Sequence, residues 1–145
     1  MFKHILVPVD GSPTSDQAIA KAAVLAKTFG SAVTAIYVVD PYPFTGVGTD
    51  YAYGQAQYLS AATAEANEAV RAAKEAFEAA GVAVATDVVE GHTVYKGILE
   101  TAEARGVDLI VMGSHGRRGL EKLMLGSVAQ RVLSHAHLPV LVVRD

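Results

Sequence analysis

The chain contains no cysteine. That excludes disulfide staples, thiol nucleophiles and cysteine-ligated metals, and it agrees with a reducing compartment. Positive charge is in short supply: 12 Lys and Arg stand against 15 Asp and Glu, a formal net charge of −3. Nucleic-acid binding needs a broad basic surface, so no nucleic-acid partner is expected. Long apolar runs are missing as well. The longest, residues 138–143, falls far short of the roughly 20 residues of a membrane span, and the apolar stretch 5–9 is too short for a signal peptide and ends at Asp10. A cytoplasmic protein without membrane insertion is the expectation. Two catalytic signatures are also absent. No Gly-x4-Gly-Lys-Ser/Thr run supports a P-loop ATPase, and no Gly-x-Ser-x-Gly elbow supports a serine hydrolase. His135 and His137 are two apart, which on a helix points them to different faces and argues against a zinc site.

What is present is apolar and punctuated. At 145 residues and 51% hydrophobic, the chain is long enough to bury about two thirds of its unfolded surface as a single domain, 1–145. Residues 5–9, Ile-Leu-Val-Pro-Val, read as a strand that stops at Asp10-Gly11-Ser12-Pro13, where Ser12 is an N-cap and Pro13 a first helical residue. Ala18, Ala22, Leu25 and Phe29 share one face of that helix, and Gly30 ends it. Residues 32–39 give a second strand. Residues 42–59 follow with three glycines, four tyrosines and no sustained period, and read as a long loop: a lid or partner surface, or a surface excursion in which the tyrosines pack down. An alanine-rich helix over 60–80, with Ala66, Val70, Ala73 and Phe77 on its inner face, closes at Gly81. A third strand over 82–89 leads to a helix that Thr93 can cap and whose Val94, Ile98 and Ala102 point inward. No internal repeat or interdomain linker interrupts this alternation.

The densest signal lies further on. Residues 109–112 are four consecutive apolar residues, as in a strand buried on both faces, and Gly113 and Gly116 then let the backbone turn and approach a ligand closely. Gly126 and Ser127 come next, followed by apolar positions at helical spacing: Val128, Ala129, Val132, Leu133 and Ala136. With Ser127 as N-cap, unpaired N–H groups and the positive end of a helix dipole would face the turn, an anion site suited to phosphate. Arg117, Arg118 and Lys122 are a local basic exception, leaning toward phosphates or forming a solvated turn. His115 could donate to a phosphate or stand exposed. Residues 138–143 complete a fifth strand. Strands alternating with helices imply an α/β fold with a parallel sheet covered by helices on both faces.

The spacing Gly113-x2-Gly116-x9-Gly126-Ser127 resembles the signature of the nucleotide-binding branch of the universal stress protein family, and the resemblance extends to Ile5-Leu-Val-Pro-Val-Asp10-Gly-Ser12 and to residues 135–144. It implies an open, Rossmann-like five-stranded sheet in the order 3-2-1-4-5, which sets the first and fourth strands side by side at the reversal point where ligands bind. It further implies that Pro8, Val9, Asp10, Ser12 and Val38 hold the base and ribose of an adenine nucleotide such as ATP, while Met112, Gly113, His115, Gly116, Arg117, Gly126, Ser127 and Val128 line the ribose and phosphate side. Asp10 could accept a hydrogen bond from the ligand, help hold a Mg or Mn ion arriving with the nucleotide, or merely form its turn. The family often carries a proline where this chain has Thr93, which bears only on how the chain enters that helix.

Three functions compete on this reading. One is an ATP-binding regulatory protein of the stress response, acting as a homodimer through residues 138–143, which would form an apolar sheet edge. Another is a slow ATPase or autophosphorylating enzyme. The third is a dimeric interaction module with no nucleotide role. An unknown protein partner could meet residues 42–59.

Overall fold

The structure, a computed structural model, describes residues 1–40, 49–115 and 125–144. Gly116, Arg117, Arg118, Lys122 and the stretch 41–48 lie outside the described residues. Nine elements follow one another: β1 (His4–Pro8), α1 (Pro13–Phe29), β2 (Ala32–Val39), α2 (Thr49–Ala79), β3 (Val84–Glu90), α3 (Val94–Ala104), β4 (Leu109–Gly113), α4 (Ser127–His135) and β5 (Val140–Val143). The strands form one sheet in the order β3-β2-β1-β4-β5, every neighbouring pair parallel.

The two-residue period of a strand divides the core in two. Ile5 and Val7 of β1 and Leu109 and Val111 of β4 face α1 and α2, where Ala18, Ala22, Ala73 and Phe77 meet them. Leu6, Ile110 and Met112 face the other way, onto Ile98 and Ala102 of α3 and Ala129 and Val132 of α4. Leu6 and Ile110 are fully buried, as are Ile5 and Val111. Four apolar residues in succession in β4 are thus shared between two layers, as a strand covered on both faces requires.

Helix ends obey their local chemistry. Ser12 Oγ accepts from Ser15 N at 3.2 Å, with Pro13 opening α1. Gly81, at φ 79, ends α2: its N–H reaches the Glu78 carbonyl and the Val82 N–H reaches that of Phe77 at 2.8 Å. This is the left-handed closure in which the residue after the glycine packs back on the helix. It explains why Val82, expected in the third strand, is buried ahead of it while β3 begins at Val84.

At the amino end of the sheet, Asp108 accepts from the backbone N–H groups of Lys3 and His4. These bonds hold its carboxyl below the usual carboxylate range. They tie the start of β1 to the start of β4 and so anchor this pairing at its amino end.

Several expectations are corrected. Residues 49–59 of the expected loop 42–59 belong to α2, which runs for 31 residues; the rest of that stretch lies outside the described residues. Among the described side chains there, Ala56, Gln57 and Ser60 are exposed while Tyr58 and Leu59 are half-buried. Val94 and Leu133, expected to face inward, are 37% and 43% exposed, and Phe29, at 39%, stacks edge-on against Phe2 at the sheet's rim. Thr93 occupies the N-cap of α3 but makes no side-chain cap bond. Leu138 and Pro139 precede β5, with the Pro139 carbonyl accepting from Ile110 N.

Candidate functional site

Adjacent parallel strands whose following helices go to opposite faces leave a crevice at their carboxyl ends. Here those strands are β1 and β4, since α1 packs on one face and α4 on the other. The crevice is a pocket of about 540 Å³, within the roughly 300–1,000 Å³ usual for small-molecule sites. One wall is Pro8, Val9, Asp10 and Ser12; the other is Met112, Gly113 and His115, continued by Gly126, Ser127 and Val128 at the start of α4; Val38 comes from β2. The structure therefore brings together every described residue singled out from the sequence. Gly116 and Arg117 lie outside the described residues.

Six further residues line the pocket: Ser15, Tyr37, Val94, Ile98, Ser114 and Ala129. Ile98 and Ala129 were readable as inner helix positions, and the same inward face that packs the core reaches the pocket floor. Ser114 lies inside the glycine motif itself. Tyr37 carried no signal.

The lining combines two chemistries. Val9, Val38, Val94, Ile98 and Met112 supply apolar surface suited to a flat ring system. The other is the amino terminus of α4, where the first N–H groups have no intrahelical acceptor. Its N-cap is Gly126, in extended conformation with no side-chain cap bond, so the expectation that Ser127 caps the helix is corrected. The reason is local: Gly126 N donates to the Ser114 carbonyl at 2.8 Å, which sets Gly126 at the cap and makes Ser127 the first helical residue. The Ser127 hydroxyl is then not consumed by its own helix, and no acidic residue occupies the first turn to compete for the dipole.

Asp10 accepts from Ser12 N at 2.9 Å through Oδ1, an Asx turn. That leaves Oδ2 without a partner among the described residues. Among the described residues, Asp10 is the one acidic residue lining the pocket, and no group of three His, Asp or Glu could hold a metal ion unaided. A divalent ion would thus need oxygens from a ligand beside this carboxylate.

Opposite Asp10, His115 Nδ1 meets Ser114 Oγ at 3.0 Å. Ser114 is 1% exposed, so its hydroxyl proton has to find an acceptor, and we assign it to Nδ1. The imidazole proton then sits on Nε2, the one buried side-chain polar atom without a partner among the described residues.

Gly113 has a purpose that its sequence context hid. A Cβ there would fall 2.8 Å from Thr14 Oγ1 and 2.9 Å from the Thr14 carbonyl carbon and oxygen. The close approach is made by the first turn of α1, and Thr14 Oγ1 uses it to donate to the His115 carbonyl.

A doubly wound parallel sheet with a pocket at its reversal point, bounded by a glycine turn and a helix amino terminus, defines an α/β protein of the Rossmann-like class. More narrowly, the chain belongs to the universal stress protein family, whose family model matches residues 1–144. Universal stress protein MJ0531 of Methanocaldococcus jannaschii is 42% identical over 144 residues, which are 99% of this chain and 83% of that protein. Among solved structures, UspA from Lactobacillus plantarum superposes with a TM-score of 0.86 at 28% identity, covering 98% of this chain and 97% of that one. Two more distant members were solved with nucleotides: one with cAMP, at 23% identity and a TM-score of 0.69, and one from Archaeoglobus fulgidus with dAMP, at 21% and 0.70. At those identities the likeness to this chain is one of fold.

Proposed function

We propose that the chain binds an adenine nucleotide, ATP or a close relative, in the pocket between β1 and β4, and that it serves the stress response as a regulatory binding protein. The observation that carries this reading is the pocket's polarity. A single cavity is lined both by the apolar side chains of Val9, Val38, Ile98 and Met112 and by the start of α4, with its free N–H groups and the uncommitted Ser127 hydroxyl. A base fits the first and phosphates fit the second. Asp10 would take a ribose hydroxyl or one face of a Mg or Mn ion carried in by the phosphates. Relatives solved with cAMP and dAMP support the ligand class.

The same groups argue for slow turnover or none. Phosphoryl transfer needs a positioned nucleophile and charge aimed at the transferring group. Backbone N–H groups and a serine hydroxyl bind ground and transition states alike, and uniform binding does not raise turnover. The test is mass spectrometry of the small molecules released on denaturing the purified protein, with calorimetry of Mg·ATP binding and a steady-state ATPase assay. An adenine nucleotide carried through purification, or micromolar ATP binding with turnover below about 1 s⁻¹, is expected. A protein that carries no nucleotide and gives no heat with ATP would return the choice to an interaction module. Faster turnover would make it an enzyme.

We further propose a homodimer through β5. This strand lies at the sheet's edge with Leu141 40% exposed, and apolar edges are normally paired or covered. Sedimentation velocity of the wild type should give a dimer, and Leu141→Lys should shift it toward monomer. A wild type that stays monomeric at high concentration removes the proposal.

A further inference from the structure

We propose that Thr14 is a positioning residue for the pocket: without lining it, the Thr14 hydroxyl locks its two walls together and so sets the strength with which ligand binds. The part concerning ligand rests on the nucleotide reading above; the coupling of the walls does not.

The argument begins with where each proton goes. Thr14 Oγ1 donates to the His115 carbonyl, which commits its only hydrogen. Ser12 Oγ lies 3.3 Å from Thr14 Oγ1, so between these two hydroxyls Ser12 is the donor. Ser12 Oγ in turn accepts from Ser15 N at 3.2 Å, and Ser15 Oγ accepts from Asp10 N at 3.3 Å. The directions therefore run consistently from Asp10, at the end of β1, to His115, beyond the end of β4. Ser12, Thr14 and Ser15 are 3%, 6% and 4% exposed, so water does not compete for these bonds; the three that run from Ser15 N through the Ser12 and Thr14 hydroxyls to the His115 carbonyl are in series and polarise one another, and Asp10 joins them through the Ser15 hydroxyl.

Besides this chain of hydroxyls, β1 is joined to β4 by the Asp108 bonds with Lys3 and His4 at the amino end and by a register that pairs Ile5 with Leu109 and Leu6 with Ile110. Beyond those residues the strands separate to make the crevice. Thr14 joins the first turn of α1, which follows β1, to the residue after Ser114, beyond the end of β4, and it reaches His115 only because Gly113 has no side chain in the way. Asp10 and His115 both line the pocket while Thr14 does not, so an effect of its hydroxyl on ligand must pass through the walls. A hydroxyl that merely satisfied itself in the first turn of a helix would influence α1 alone.

The experiment compares Thr14→Val and Thr14→Ala, which remove the hydroxyl, with Thr14→Ser, which keeps it. Val70→Ala, in the α1–α2 layer away from the pocket, supplies a control for simple loss of stability. Two quantities are read: backbone amide exchange without ligand and Mg·ATP affinity by calorimetry. Removing the hydroxyl should speed exchange on both walls together, at Asp10 and Ser12 and at Ser114 and Gly126, beyond the change seen in Val70→Ala. It should weaken ATP binding about five- to tenfold, as expected for one buried hydrogen bond. Thr14→Ser should stay within about twofold of wild type in both. Using both Val and Ala guards against one variant folding poorly. Faster exchange confined to α1 and the β1 turn, or effects no larger than those of Val70→Ala, would overturn the coupling. If exchange on both walls rises while affinity holds, the link to ligand strength is overturned. A wild type that binds no ATP defeats the nucleotide reading and the affinity claim, while the exchange result still decides whether Thr14 couples the walls.

Discussion

Gly113→Ala is expected to destabilise the fold by about 2–3 kcal/mol, at the upper end of overpacking costs, and to lower Tm by roughly 6–12 °C for a chain of this size. The added methyl would stand 2.8–2.9 Å from three atoms of Thr14, closer than carbon tolerates against carbon or oxygen. Two of those atoms are backbone. Relief therefore requires α1 to move away from β4, and α1 is held by Ala18, Ala22 and Ala26, each almost without exposed surface, in a layer packed as densely as a crystal. Trimming the neighbour should not help: Gly113→Ala combined with Thr14→Ala removes the clash with Oγ1 and leaves the two backbone clashes. Urea denaturation of both single variants and the double variant checks this. A double variant as stable as Thr14→Ala alone would mean that the side chain was the obstacle and that the helix backbone has room. A Gly113→Ala protein with wild-type stability would refute the packing argument altogether.

That expectation differs in kind from what the sequence suggested, and the difference shows what a sequence encodes. The β4 run, Gly113 and the restart at Gly126 could be located because a strand buried on both faces, a glycine turn and a helical period each leave a local trace. Ser12 and Pro13 opened α1 as expected because a cap and a first-position proline act within a few residues. Which neighbour demands the missing side chain at Gly113 is a tertiary fact. It depends on Thr14, about one hundred residues away in the chain, arriving at 2.8 Å. The sheet order likewise came from the family resemblance and not from periodicity, which carries no information about lateral pairing.

Misjudged positions follow the same logic. Ser127 is a better intrinsic N-cap than Gly126, but the bond from Gly126 N to the Ser114 carbonyl decided the boundary. In α3, Ile98 and Ala102 are buried as expected, together with Gly97, whereas Val94 is partly exposed and lines the pocket. Gly97 allows this, since a Cβ on it would come within 2.9 Å of Val38 Cγ1, and α3 therefore lies close against β2. The first turns of α2 were missed because Gly54 and the tyrosines resemble loop composition and the sequence there shows no sustained helical period.

The Ser127→Glu variant should separate ligand recognition from folding, because the same substitution acts on each in opposite senses. Ser127 is exposed, is the first residue of α4 and has no acidic neighbour in that turn. A carboxylate there meets the positive end of the helix dipole, which is worth about 0.3–1 kcal/mol in stability. The protein should thus be as stable as the wild type or slightly more so. If the pocket holds phosphates, that carboxylate occupies their place and repels them. Two unit charges about 4 Å apart interact by about 4 kcal/mol at an effective dielectric near 20. Exposure and salt reduce this, and a loss of about 1.5–2.5 kcal/mol, some ten- to seventyfold in Kd, is expected for Mg·ATP. Adenosine, which has no phosphate, should bind both proteins alike, and raising the ionic strength should narrow the difference for ATP. Ser127→Ala, which removes one hydroxyl and adds no charge, should cost only a few-fold. Calorimetry with ATP and adenosine at two salt concentrations, beside a thermal melt, measures all four quantities. Equal ATP affinity in Ser127→Glu and wild type would mean that phosphates do not lie at the start of α4, whatever else the pocket holds. An equal loss for adenosine would mean that the longer side chain blocks the cavity by size and not by charge.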